Sequence, residues 1–225
     1  MRSRVAVAWG LVPLLVLGLG VGLWMKRPFQ VELGAFRSGL SERSEAQRAN
    51  IARAAAAIDG RVIEPGEVWS FNAQVGPRTP ERGYRLAPAY LERDLTSSIG
   101  GGICQLSSTL YNAAALGGLG IVERHPHLRR VRSVPPGRDA TVWYGRADLR
   151  LENTGSFPVR LEARLEDEAL WVRVKGDSPG ARRLRLETER VPDSRPRSAT
   201  YRTVRYLSGD GAPLAEVLSV DTYAE

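Results

Sequence analysis

A chain of 225 residues has room for one medium domain with an appendage, or for two small domains. Its 43% hydrophobic and 25% charged residues are ordinary for a globular protein, and no internal repeat or low-complexity block interrupts it. Lys and Arg outnumber Asp and Glu by 32 to 25, a formal charge of +7, and the single cysteine, Cys104, excludes an intramolecular disulfide.

The N-terminus bears on what this basic charge is for. Met1-Arg2-Ser3-Arg4 precedes 21 uncharged residues, Val5 to Met25, which Lys26 and Arg27 close. As a helix that run spans about 30 Å, the hydrocarbon thickness of a bilayer. It lacks a small-residue cleavage site before Lys26, so an uncleaved signal anchor over residues 1–27 is favoured over a cleaved signal peptide or a core helix. The expected location is the cytoplasmic membrane, crossed once by residues 5–25, with the bulk of the chain outside the cytoplasm. Export excludes nucleic acid as the partner of the basic surface and leaves anionic envelope polymers such as peptidoglycan.

Residues 28–40 read as a linker or first strand. Ser44 with Gln47 forms a capping-box pattern before an Ala-rich helix that runs to Ile58 and stops at Asp59-Gly60. Residues 61–71, with Pro65-Gly66 between alternating flanks, predict a hairpin. Ala87 to Arg93 reads as a short helix. Gly100-Gly101-Gly102 then leads into a second helix through Cys104 and on to Leu116, stopped by Gly117-Gly118. Beyond it the pattern is β: 120–124, 141–144, 149–152, and a hairpin of 159–165 with 170–174. Asp177-Ser178-Pro179-Gly180 marks a boundary, and 184–191, 200–207 and 215–220 predict three further strands. The expected fold is α+β, two main helices on a largely antiparallel sheet over residues 28–175, with a small β appendage over 176–225.

The run Gly101-Gly102-Ile103-Cys104-Gln105-Leu106-Ser107-Ser108-Thr109-Leu110-Tyr111-Asn112 resembles the signature of the VanW family. Ile63-Glu64-Pro65-Gly66-Glu67, Ser70-Phe71-Asn72, Gly76-Pro77-Arg78-Thr79, Glu123-Arg124-His125 and Asp139-Ala140-Thr141-Val142 fit the same pattern, as do Asn50, Gly83-Tyr84 and Asp148-Leu149. The match extends over roughly Arg37 to Leu165, with Trp69 at a position often held by Phe. The resemblance implies a cell-envelope setting, often beside peptidoglycan-associated modules, and brings no agreed catalytic mechanism with it.

The residues themselves suggest chemistry. Cys104 stands where a glycine-rich loop enters a helix, whose positive end favours a thiolate and whose N–H groups suit an oxyanion. A thiol nucleophile needs a base. Of the two histidines, His125 lies in the better-matching stretch and is favoured over His127, with Asp139 or Asp148 to orient it. The reaction would be acyl transfer at an amide, such as one in a peptidoglycan stem. Arg78, Gly101, Gly102, Gln105, Ser107 and Ser108 are the candidate ligand-binding residues. Other readings stand beside this one: Cys104 as a buried packing residue, the glycine loop as a non-catalytic site for an anionic group, and a zinc site on the cysteine and two histidines. The zinc spacing matches no strong motif, so no metal or cofactor is expected. Trp69, Trp143 and Trp171 are expected in the core.

Overall fold

The computed structural model describes residues 28–91, 94–178, 183–192, 195–209 and 214–225. The expected anchor, residues 1–27, lies outside them. Among the described residues no helix is long and apolar enough to cross a membrane.

Among the described residues twelve strands and three α-helices make a mixed α+β fold in which every paired strand is antiparallel. The main sheet has the order β1 (Val31–Gly39), β9 (Ala169–Gly176), β8 (Val159–Glu166) and β2 (Val62–Ile63). Buried and less buried residues alternate along β8 and β9, so one face carries Leu161, Leu170, Val172 and Val174 into the core. Helix α3 (Ile103–Leu116) contacts β1 and β9, and α1 (Glu45–Ile58) contacts β8 and α3. Ile51, Ala54 and Ile58 of α1 meet Leu106, Leu110 and Ala113 of α3 in this one core.

The capping box at the start of α1 is present, with Ser44 accepting from the Gln47 backbone and the Gln47 side chain accepting from Ser44 N–H. Two local expectations need correction. The residue 61–71 segment is not a hairpin: β2 pairs with β8, and β3 (Val68–Ser70) pairs with β7 (Arg150–Glu152) in a second sheet of order β3-β7-β6, β6 being Gly120–Glu123. Pro65-Gly66 turns the chain between two sheets instead of within one. Nor is the expected helix from Ala87 to Arg93 formed over its described residues. Residues 87–91 fall in β4 (Leu86–Leu91), which pairs with β5 (Asp94–Ile99) as an antiparallel ribbon, so pairing with the next strand overrides local helix propensity there. Helix α2 (Phe71–Val75) is short, and the residues around 141–144 make only isolated bridges.

The third sheet, β10 (Arg183–Val191), β11 (Ser198–Ser208) and β12 (Leu214–Ala224), is formed by the expected C-terminal strands. It is tied closely to the rest. Arg205 of β11 donates to the carbonyls of Ala115 and Leu119 at the end of α3, at 3.3 and 2.8 Å.

Asn50 fastens α1 to the segment that precedes α3. Its fully buried amide donates to the Arg85 and Gly101 carbonyls at 2.9 and 3.0 Å and accepts from Arg85 N–H at 2.8 Å. Asn50→Ala leaves these backbone groups without partners, and the expected loss is about 1–3 kcal/mol. Urea unfolding of the full chain in detergent checks this: the midpoint falls at unchanged slope, whereas an unmoved midpoint shows that water replaces the amide.

Candidate active site

Helix α3 is buried on nearly every side, and that governs how it starts and how its polar residues are paired. Gly102 precedes it at φ 100°, a left-handed conformation that glycine tolerates and a Cβ would strain. At Gly101 a Cβ would stand 2.3 Å from the Ala87 carbonyl oxygen, so β4 can run against the loop only because no side chain is there. Within the helix, Ser108, Thr109 and Asn112 return hydrogen bonds of 2.7 Å to the carbonyls of Cys104, Gln105 and Ser108.

Cys104 lies in the first turn of α3, where backbone N–H groups lack helical acceptors. Its thiol donates to the Val142 carbonyl at 3.6 Å. Its own N–H has no acceptor among the described residues. The thiol lines a cavity of about 670 Å³ together with Arg78, Gln105, His127, Trp143 and Tyr144.

The imidazole that reaches this thiol is that of His127. Its Nδ1 is 2.6 Å from Asp139 Oδ2, and its backbone N–H donates to the same oxygen at 2.7 Å. Nε2 is thereby left available to Cys104, whose ionisation is coupled to that of the ring. Asp139 is 1% exposed, and its other oxygen accepts from the Tyr223 hydroxyl at 2.5 Å and from Arg124 Nη2 at 3.2 Å. Arg124, with a side chain only 5% exposed, also binds Asp221 Oδ2 at 2.5 Å and the Asp139 carbonyl through Nε at 2.5 Å. Tyr223 and Asp221 belong to β12, so the C-terminal sheet supplies two groups to this network.

The ionisation of the three groups follows from these contacts. Burial lowers His127, but the hydrogen bond to Asp139 and the neighbouring Cys104 outweigh it and raise the imidazole from 6.5 to about 9. Burial pushes the Cys104 thiol up, and the hydrogen bond and charge of His127, aided by Arg78, bring it below its ordinary value. Burial likewise raises Asp139, yet His127, Arg124 and Tyr223 together hold its carboxyl below the usual range. Both shifts act in the direction of a thiolate–imidazolium pair, beside a carboxylate that its donors hold toward the charged form.

The expected site is thus assembled in part and displaced in part. Cys104 and Asp139 are brought together, but through His127. His125 points the other way: its side chain is 47% exposed, pairs with Glu123 at 2.9 Å and does not line the cavity. The backbone bridge between His125 and Thr141 explains the reversal, since it fixes residue 125 at a strand edge while the chain beyond Pro126 turns inward. Asp148 is occupied elsewhere, by Ser70 Oγ at 2.5 Å and the N–H groups of Asn72 and Leu149. Arg78, Gly101, Gly102 and Gln105 line the cavity. Ser107 and Ser108 do not; both are fully buried, and they bond the Ala140 carbonyl and N–H at 2.6 and 2.9 Å, tying α3 to the segment that carries Asp139. Trp69 is core, whereas Trp143 stands half-exposed on the cavity rim. Tyr223, Arg124 and Asp221 were not anticipated. Among the described residues no group of three or more His, Cys, Asp and Glu side chains is arranged to hold a metal ion.

Comparison with known proteins bears on the same segment. The family profile described as VanW like protein matches residues 46–175, more than half of the sequence. The chain belongs to the VanW family. Over 133 residues it is 44% identical to the uncharacterized protein YoaR of Bacillus subtilis, covering 59% of this chain and 44% of that one. Over 133 residues it is 29% identical to the vancomycin B-type resistance protein VanW of Enterococcus faecalis, covering 57% of this chain and 48% of that one. The chain thus spans about half the length of these relatives. No solved structure matches it. The family segment contains Cys104, His127 and Asp139, while Tyr223 and Asp221 lie beyond its end.

Two substitutions separate the histidines. His127→Ala removes the cation that offsets burial of the thiol, and alkylation of Cys104 by iodoacetamide at neutral pH is expected to slow by about tenfold or more. His125→Ala leaves the rate unchanged. Equal effects would mean that the exposed histidine also reaches the thiol.

Proposed function

We propose that this VanW-family chain is a thiol acyl-transfer enzyme of the cell envelope, acting at an amide bond of peptidoglycan or its precursors through Cys104, His127 and Asp139. One observation carries the reading: a single imidazole, bonded to a deeply buried carboxylate, lines the same cavity as the thiol and is coupled to it in charge. That is the arrangement a cysteine nucleophile needs, a base within reach and a third group fixing the base. A cysteine kept only for packing has no use for it.

The steps follow from the protonation states. The Cys104 thiolate adds to the amide carbonyl carbon, forming a C–S bond and placing negative charge on the carbonyl oxygen. The Cys104 N–H at the positive end of α3 is positioned to receive that charge. As the C–N bond breaks, the His127 imidazolium gives its proton to the departing amine. The product is a thioester on Cys104. Neutral His127 then removes a proton from water or an acceptor amine as it attacks the thioester carbonyl, and the C–S bond breaks to restore the thiolate and imidazolium. Water gives hydrolysis, and an amine gives transpeptidation. Asp139 keeps the imidazole in the tautomer and orientation that both halves require.

The envelope setting is supported by the 21-residue uncharged run Val5–Met25, read as an uncleaved anchor that leaves the rest outside the cytoplasm. The basic balance suits an anionic polymer.

The pH dependence of Cys104 alkylation in the full chain tests the reading. Because the thiol is lowered, the rate is expected to rise and level off below the ordinary thiol range. Because His127 stays protonated to about 9, turnover that needs its proton is lost as pH rises through that value, although alkylation continues. A thiol that reacts only after denaturation would sink the enzyme reading and leave a structural or binding role.

A further inference from the structure

Among the described residues Arg78 forms no ion pair with a carboxylate. Its side chain lines the cavity that holds Cys104, and the two groups are electrostatically coupled. Nη1 donates to the Gly76 carbonyl at 2.9 Å, but Nη2 is buried and has no hydrogen-bond partner among the described residues. No carboxylate lies within ion-pair distance among those residues, in contrast to Arg124 with its two. The nearby Asp148 has its oxygens committed to Ser70, Asn72 and Leu149. The guanidinium rests instead between aromatic rings, 5.5 Å from the Phe71 centroid and 5.9 Å from that of Tyr144. Burial without a partner pushes Arg78 below the ordinary guanidinium value.

A buried, unpaired donor on a charged group is costly, and so is a half-desolvated cation. Its retention beside a nucleophile is understood if the substrate brings the missing acceptor. The rest of the cavity agrees. Arg132 also lines it, with Glu42 the one carboxylate among the described lining residues, and Arg132 meets Glu42 at only 3.9 Å. Thr141 Oγ1, of another lining residue, is likewise buried without a partner among the described residues.

We infer that Arg78 is a specificity-determining residue that binds a free carboxylate adjacent to the scissile amide, so that the substrate class is a carboxylate-bearing peptide amide. This rests on Cys104 being the nucleophile. A planar carboxylate is the acceptor that suits the unpaired Nη2 and the charge it carries, and the two flanking rings pack on the guanidinium before the ligand arrives. A neutral amide would leave the cation uncompensated once it displaced water from the cavity.

Charge-selective alkylation of the full chain in detergent tests this. Iodoacetate and iodoacetamide differ in carrying a carboxylate or a neutral amide, and each rate constant is divided by that of the urea-unfolded chain. The ratio of the two normalised rates is independent of how much thiolate is present. It is expected to exceed one in the native protein, to decline as salt is added, and to drop about three- to tenfold in Arg78→Gln while Arg78→Lys keeps part of the preference. A ratio unchanged in a folded Arg78→Gln chain, with Cys104 still reactive, overturns the role of Arg78 and leaves the Cys104–His127–Asp139 reading intact. A native wild-type ratio of one or less at low salt overturns it without any variant. Failure of both reagents to label the native chain overturns the nucleophile itself, and this inference with it.

Discussion

A carboxylate as deeply buried as Asp139 is the constraint around which the site is organised. An isolated charge in that position would take up a proton. It remains ionised because four groups converge on it: the His127 ring, the His127 backbone N–H, the Tyr223 hydroxyl and Arg124. They come from distant parts of the sequence, the stretch around residue 127 and the last strand. Asp139 therefore orients the histidine and also links the C-terminal sheet to the body of the fold. Arg124 would itself be an uncompensated buried charge without Asp139 and Asp221, so the three ionised groups require one another. Removal of one partner from such a set typically costs several kcal/mol, even where the intact set contributes little over an apolar replacement.

The nucleophile depends on a different physical device, a helix start without a side-chain cap. Gly101 admits the β4 backbone and Gly102 takes the left-handed conformation, so neither position places a side chain at the helix start. Ser107 and Ser108 join the two devices, since their hydroxyls bond the backbone at Ala140, next to Asp139. The separation of thiol from imidazole is thereby fixed by hydrogen bonds between the helix and the segment bearing the carboxylate. Polar residues that read as substrate contacts in sequence serve to hold the framework.

Much of this was legible in the amino-acid order. Capping at Ser44, the glycine stop after Leu116 and the alternation of residues 159–174 are local signals, and the corresponding elements form where those signals place them. The helix expected from Ala87 onward is not found because pairing with the next strand, Asp94–Ile99, makes residues 87–91 β. The pairing of β2 with β8 joins residues nearly a hundred positions apart, which no turn signal encodes. Cys104 was visible because helix start and glycine spacing are local, whereas Asp139 stood beside Asp148 as one of two acids in stretches that resemble the family. The choice between His125 and His127 was not, because the two are separated only by Pro126 and their difference is the direction of the chain after a tertiary bridge to Thr141. Tyr223 carried no signal at all: within β12 it is one more member of an alternating pattern.

The charges of the site also explain why the thiolate can persist in partial burial. Arg124, Arg78 and protonated His127 supply three positive charges, and Asp139, Asp221 and the Cys104 thiolate supply three negative ones. Two of the anions are taken up by Arg124, and Asp139 is shared with His127. The thiolate is left facing the remaining positive charge of His127 and Arg78. In the proposed acyl transfer the sulfur would lose its charge and His127 its proton, so the inner cluster would stay balanced while Arg78 lost the thiolate that faced it. The cation nearest the reacting bond is thus the one whose compensation changes during the reaction. An acceptor carried by the substrate is worth most where the protein provides none, and in this cavity that place is Arg78.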